Sequence, residues 1–134
     1  MPYRMTWDDD SRGVFAEYWG RISADDLTRV CHAVTADPRW DDVRYVIADA
    51  SRIDGIDVDT STAAALAEPN VLLIGAARDH APVQFAVVTT NGELLHLLQR
   101  QRELQAFPYP TQVFENVAAA RRWLAQSALK TSQA

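Results

Sequence analysis

Residues 45 to 61 read YVIADASRIDGIDVDTS, and the fold turns on what they form. The run just before and into them, VRYVIA from Val43 to Ala48, is nearly continuous in apolar residues. That pattern predicts a strand covered on both faces, as in the interior of a parallel sheet. From Asp49 the pattern breaks. Asp49, Asp54, Asp57 and Asp59 follow at short intervals, with Ser51, Thr60 and Ser61 among them. This reads as a loop from Asp49 to Ser61 that leads into a helix. Asp54 and Gly55 have turn chemistry. Asp59, Thr60 and Ser61 are of the types that satisfy the orphan N–H groups of a helix start, where negative charge is also favoured. Asp49 closes the strand, where its carboxylate can accept N–H bonds from the loop.

Upstream, Tyr3, Met5 and Trp7 alternate with Arg4 and Thr6, the period of a strand with one covered face. DDDSRG, residues 8 to 13, has turn composition, and VFAEYWGRI alternates again, so the two runs predict an antiparallel hairpin. Ser23 with Asp26 three residues on resembles a capping box. Leu27, Val30, Cys31 and Val34 then form one apolar helical stripe, which Pro38 ends, and Trp40 is expected to fold back as a plug. Downstream, TAAALAEPNVLLIGAARD is helical but interrupted near Pro69, predicting one kinked helix or two short ones. VQFAVVTT, from Val83 to Thr90, is another buried strand. Asn91 can cap the helix GELLHLLQRQREL, TQVFE is a last strand, and Asn116 can cap VAAARRWLAQ, whose buried stripe is Val117, Ala120, Trp123 and Leu124. The tail is expected to fray from about Ser127. The order β-β-α-β-α-β-α-β-α predicts an α/β fold, with a mixed, mostly parallel sheet and an N-terminal antiparallel hairpin.

The chain has 134 residues, which fits one domain, and its apolar (48%) and charged (23%) fractions suit a globular fold rather than a disordered one. Its net charge is −5. A field of that sign repels phosphate backbones and anionic lipid, so neither nucleic acid nor a membrane surface is the expected partner. The longest apolar stretch, VLLIGAA, is far shorter than the about 20 residues a bilayer needs. Cys31 is the single cysteine, and MPYRMTWDDD lacks the basic-then-apolar order of a signal peptide, so the expected location is cytoplasmic.

GRISADDL after the hairpin, ADPRWDDVRYVIADAS through the central strand, FAVVTTN before the third helix and VFENVAAARRWL at the end occur in an order and spacing that resemble the STAS superfamily, the domain of anti-sigma-factor antagonists and sulfate-transporter tails. Within it, the chain is similar to the small stand-alone bacterial branch of SpoIIAA-like fold and mostly unassigned function. The resemblance covers roughly Tyr3 to Ala125. It implies a loop after the central strand in which, in the antagonists, a serine is phosphorylated by a partner kinase. On that pattern Asp49 ends the strand, Ile56 and Asp57 precede the switch position, and the switch serine falls on Val58, followed by Asp59. Valine has no hydroxyl. Thr60 or Ser61 stands in for the serine if the helix starts two or three residues later than in the antagonists.

Other chemistries fit less well. Calcium needs a distal bidentate carboxylate after a glycine turn, and no glutamate follows Gly55 at that distance, so no metal is expected. A receiver-type aspartyl phosphate needs a lysine on the last strand, and Lys130 in the tail is the only lysine. His32 and His96 lie in predicted helices and His80 in a loop, without a nucleophile elbow. Cys31 is expected to be inert packing, and Gly55, Gly75 and Gly92 make no nucleotide fingerprint. Tyr3, Met5, Trp7, Phe15, Tyr18 and Trp19 either leave an apolar partner patch on the hairpin or simply cover it. Leu72, Leu73, Leu94, Leu95 and Leu98 either line a space for a small apolar ligand or pack as core, and the third helix is a surface helix or a homodimer seam.

The reading that best fits these residues is a non-enzymatic interaction or regulatory domain with a protein partner and no cofactor. Its binding or regulatory loop comprises Asp49, Ser51, Asp57, Asp59, Thr60 and Ser61. A binding protein for an apolar or amphipathic ligand is the alternative, and an enzyme with Asp49 or Asp57 as base ranks last because no second catalytic group is placed by sequence.

Overall fold

The computed structural model describes residues 3–8, 12–57, 83–103 and 111–133. Five strands are β1 (Tyr3–Trp7), β2 (Gly13–Ser23), β3 (Tyr45–Asp57), β4 (Gln84–Val88) and β5 (Thr111–Phe114). Three helices are α1 (Ala24–Thr35), α2 (Gly92–Glu103) and α3 (Val117–Gln133), and a 3-10 turn spans Pro38–Asp42. The helix expected around Pro69 lies outside the described residues, as do Val58, Asp59, Thr60, Ser61 and His80.

Local chemistry sets the helix starts. At α1 the Ser23 hydroxyl accepts the Asp26 N–H at 3.1 Å and the Asp26 carboxylate accepts the Ser23 N–H at 3.0 Å, so the capping box is complete. Asn91 accepts from Leu94 N–H at 3.1 Å, and Asn116 from Ala119 N–H at 2.8 Å. Each such cap satisfies a donor that would otherwise lack a partner, at a gain of about 1 kcal/mol. α1 ends before Pro38, and Trp40 in the 3-10 turn is buried, the plug expected of it. The α3 backbone is helical to Gln133, through the tail where fraying was expected.

The sheet order is β1-β2-β3-β4-β5. β1 pairs antiparallel with β2, and every later pair is parallel. The crossovers through α1 and α2 both step the same way across the sheet, so a common right-handed connection puts both helices on one face. The first core cluster lies there. Val14, Ala16, Tyr18 and Ile22 of β2 meet Val30 and Val34 of α1, Trp40, and Leu97 of α2. Tyr3, Met5 and Trp7 pack against the same cluster. α3 covers the other face, where Ala120 and Leu124 join Ile47, Ala86 and Val88, with Val117, Trp123, Phe15 and Phe114 around them.

The structure corrects the reading of residues 49 to 57. They are not a loop and contain no turn at Asp54–Gly55: β3 continues to Asp57, paired to β2 as far as Ser23. The reason lies in two bulges. From Glu17 to Trp19, β2 advances two residues while β3 advances three, Asp49 to Arg52; from Gly20 to Arg21, β2 advances one while β3 advances two, Ile53 to Gly55. Each bulge inserts one residue and turns the following side chains over. The core-facing residues therefore fall three apart, at Ala50, Ile53 and Ile56, all in the first cluster. Gly20, in the left-handed region at φ 66°, sits at the second bulge, where a residue with a Cβ would be strained.

At the opposite end of β3, Tyr45 donates its hydroxyl to the Asp8 carboxylate, which also accepts from Arg121 Nη1 at 3.3 Å. The Arg121 guanidinium lies 5.7 Å from the Phe15 ring centre. Hairpin, central strand and last helix are thus tied at one point. Gly13 is what lets the Tyr45 ring in, because a Cβ there would collide with it. Gly13→Ala is therefore expected to displace Tyr45 and to destabilise the protein by about 1–3 kcal/mol, the usual cost of overpacking. Urea unfolding with an unchanged m-value measures it; a stability within about 0.5 kcal/mol of the parent would contradict the packing.

Candidate functional site

β4 ends at Val88, in register with Asp49, so β3 runs eight residues further than its neighbour. This overhang, Ala50–Asp57, sheds its polar side chains to the surface: Ser51, Arg52, Asp54 and Asp57 are exposed, while Ala50, Ile53 and Ile56 are buried. The central strand is interior, as expected, but the acidic stretch is sheet rather than loop.

The overhang has two polar clusters. At its base, Asp49 Oδ1 accepts from Ser51 N–H at 3.1 Å and from the Ser51 hydroxyl at 2.7 Å. Asp49 thus accepts a backbone N–H as expected, that of Ser51, but it does so from within β3 and not from the strand end where the sequence reading placed it. Beside it in register stands Glu17 of β2, whose carboxylate is met by Arg4 Nη2 at 2.8 Å. Beneath, the buried Thr89 donates its hydroxyl to the Ala50 carbonyl at 3.3 Å and accepts from Asn91 N–H at 3.0 Å. One side chain thereby joins the overhang to the start of α2.

The second cluster is at the tip. Arg21 Nε donates to Asp57 Oδ1 at 2.8 Å, and Nη2 donates to the Ile56 carbonyl at 3.2 Å. The Ile56 N–H in turn donates to Glu93 Oε2 of α2 at 3.3 Å. Its bond to Asp57 holds the Arg21 guanidinium above its ordinary value, with the nearby Glu93 and Asp54 charges adding to it. Asp57 is thus drawn into a different cluster from Asp49 and Ser51. Of the six site residues expected from the sequence, the three described ones therefore fall into two clusters, Asp49 with Ser51 at the base and Asp57 at the tip. Asp59, Thr60 and Ser61 lie outside the described residues.

The sequence reading missed Glu17, Arg21, Thr89 and Glu93 as members of this region. Gly20 inside an alternating strand was a usable signal for a bulge next to Arg21. Glu93 reads only as an acid in a first helical turn, and nothing local ties it to Ile56.

The remaining candidates that lie among the described residues pack into the clusters or stand at the surface. Of the six large side chains of the hairpin, Trp19 is the one with large exposure, 41%; the rest pack into the two clusters or are partly covered by them. Leu94 packs against the first cluster and Leu98 is buried, while Leu95 is 39% exposed; Leu72 and Leu73 lie outside the described residues. His32 and His96 are exposed on separate helices. No three His, Cys, Asp or Glu side chains among the described residues gather to hold a metal ion. No helix among them is long and apolar enough to cross a membrane.

Two outcomes are expected from these contacts. Thr89→Val keeps the shape but leaves the Ala50 carbonyl and Asn91 N–H without their partner, a loss of about 1–3 kcal/mol readable by denaturant unfolding; a neutral result would show that the hydroxyl does not join β3 to α2. Cys31 is half-buried on α1, and burial pushes its thiol up to about 11. At pH 8 its thiolate is then roughly 200-fold scarcer than that of an unfolded cysteine. Iodoacetamide should label native protein slower by that order than protein in urea; equal rates would contradict the burial.

No family model matches the chain, and no curated protein matches it either. Solved structures do. An uncharacterised protein of the DUF3478 family with a SpoIIAA-like fold, from Shewanella loihica PV-4, aligns over 91% of both chains with a TM-score of 0.54 and 17% identity. The anti-sigma factor antagonist SpoIIAA in its unphosphorylated form aligns over 92% of this chain and 97% of its own, with a TM-score of 0.52 and 8% identity. At these identities the likeness is one of architecture, and it agrees with the hairpin, the parallel pairs and the helix order described above: the chain has the SpoIIAA-like fold.

Proposed function

We propose that this chain is a non-enzymatic regulatory domain that docks a protein partner on the β3 overhang and the residues directly after it. The observation that carries the reading is the overhang itself: eight residues of the central strand, beyond the end of β4, with Ser51, Arg52, Asp54 and Asp57 turned to solvent. A fixed row of polar groups on a rigid strand suits recognition of another surface, because little ordering remains to be done on binding. The fold supports the same reading, since one structure that shares it is named as an antagonist of an anti-sigma factor. In this reading Asp49, Ser51 and Asp57 belong to the docking face, together with Asp59, Thr60 and Ser61 after the strand. A hydroxyl switch would use Thr60 or Ser61, because the sequence resemblance puts Val58, which has no hydroxyl, at the antagonists' serine position. The setting is cytoplasmic and the partner a protein rather than nucleic acid, in keeping with the net charge of −5.

A photo-crosslinking residue placed at Arg52, in cells that produce the protein, is expected to yield one discrete adduct. The same residue at Asp42, exposed at the other end of the sheet, should not yield it. Asp49→Ala with Ser51→Ala should reduce the Arg52 adduct about five-fold or more without changing thermal stability by more than about 3 °C. Absence of any adduct at Arg52, or the same adduct from both positions, would remove the docking face. Mass spectrometry after incubation with candidate kinases tests the switch: phosphate on Thr60 or Ser61 supports it, and its absence leaves docking without modification.

A further inference from the structure

Ile56 is the last core residue of β3, and it has no β4 neighbour, since that strand stops in register with Asp49. Yet both of its backbone groups are bonded by side chains: the N–H by the Glu93 carboxylate at 3.3 Å, the carbonyl by Arg21 Nη2 at 3.2 Å. An acceptor from α2 and a donor from β2 thus supply the two bonds that a neighbouring strand would make. The backbone is prepared for this at two glycines. Gly20, in the left-handed region, marks the bulge just before Arg21. Gly55 faces Arg21 in register, and a Cβ there would stand 2.7 Å from Arg21 Nη1 and 3.0 Å from Glu93 Oε1. The missing side chain leaves a gap that the guanidinium and the carboxylate both border. Arg21 then reaches on to Asp57, 2.6 Å from Nη2 to Oδ1.

We propose that Arg21, Gly55 and Glu93 are positioning residues: they latch the tip of β3 to the first turn of α2 and fix the direction in which the chain leaves the sheet at Asp57. The inference rests on the docking reading above for its use, because that reading places the partner on the overhang and on the residues after Asp57. Its physical content is independent of any partner. A strand end paired only on its β2 side would be free to swing away from α2; one held from both sides keeps a single orientation up to Asp57. The latch is also breakable, because Arg21 and Asp57 are both more than half exposed and an ion pair so placed is weakened by salt.

Amide hydrogen exchange by NMR tests the latch on the whole protein. Glu93→Ala is expected to speed exchange at Ile56 about ten-fold or more, while Ile47 and Val87, in the middle of the sheet, change less than about two-fold. Glu93→Gln keeps a carbonyl acceptor and should stay within about three-fold of the parent at Ile56. Gly55→Ala, which closes the gap, should act like Glu93→Ala. Unchanged exchange at Ile56 in Glu93→Ala, acceleration at all three amides together, or equal effects of Gln and Ala would each overturn the proposal. The crosslink at Arg52 separates this from the docking reading. An adduct that survives loss of the latch shows docking without positioning and overturns its use; protection at Ile56 without an adduct in any variant upholds the latch and sinks the docking reading alone.

Discussion

The structure depends on β3 remaining paired to β2 after β4 has ended. A strand of thirteen residues flanked by one of five must find partners for its backbone along the excess length. A buried peptide group left without a partner costs about 1–3 kcal/mol, so an overhang that failed to pair could not sit over a core. The two bulges are how pairing and burial are reconciled. They let a chain whose apolar residues fall three apart keep them on one face, over α1 and α2, while carboxylates, a hydroxyl and a guanidinium are turned out. The overhang is thereby part of the core on one side and a polar surface on the other.

The two faces of the sheet share the work unequally. α1 and α2 close the side that the right-handed crossovers select, and that side buries most of β2 and the far half of β3. α3 follows the edge strand, is under no crossover constraint, and takes the other side over β4, β5 and the near half of β3. Its anchor is polar: Arg121 reaches the Asp8 carboxylate that Tyr45 also holds. The part of this face beyond α3 lies towards β2 and the overhang, where Glu17, Trp19, Asp49 and Ser51 stand. Fold alone does not assign a role to such a surface, since one architecture hosts many functions. What the structure does give is which polar groups stand together on it: Asp49 with Ser51 at one end, and Arg21 with Asp57 at the other.

Much of this was legible along the chain. Ser23, Asn91 and Asn116 cap the helices that their residue types announce, because a cap is a bond between neighbours three residues apart. The stripes of Val30 and Val34, or of Ala120 and Leu124, face the cores that their spacing implies, because a helix repeats without reference to its surroundings. The overhang was not legible. Ala50, Ile53 and Ile56 have neither the period of a strand nor the length of a helix, and Asp-Gly within them reads as a turn. A bulge exists only relative to a partner strand, and that partner, β2, is distant in sequence. The arrangement within the region was hidden for the same cause: residues close in sequence, Asp49 and Asp57, were separated by the extended backbone, while Arg21, Ile56 and Glu93, far apart in sequence, were brought together.

By itself, then, the sequence determined the order of the described strands and helices, where each of those helices begins, and the mixed, mostly parallel class of the sheet, all of which derive from local periodicity and short-range hydrogen bonds. Only the tertiary structure decided that the acidic stretch is strand, which of its polar groups meet, and that Arg21 and Glu93 close its end. Those outcomes are set by pairing with distant segments, whose geometry no local pattern contains.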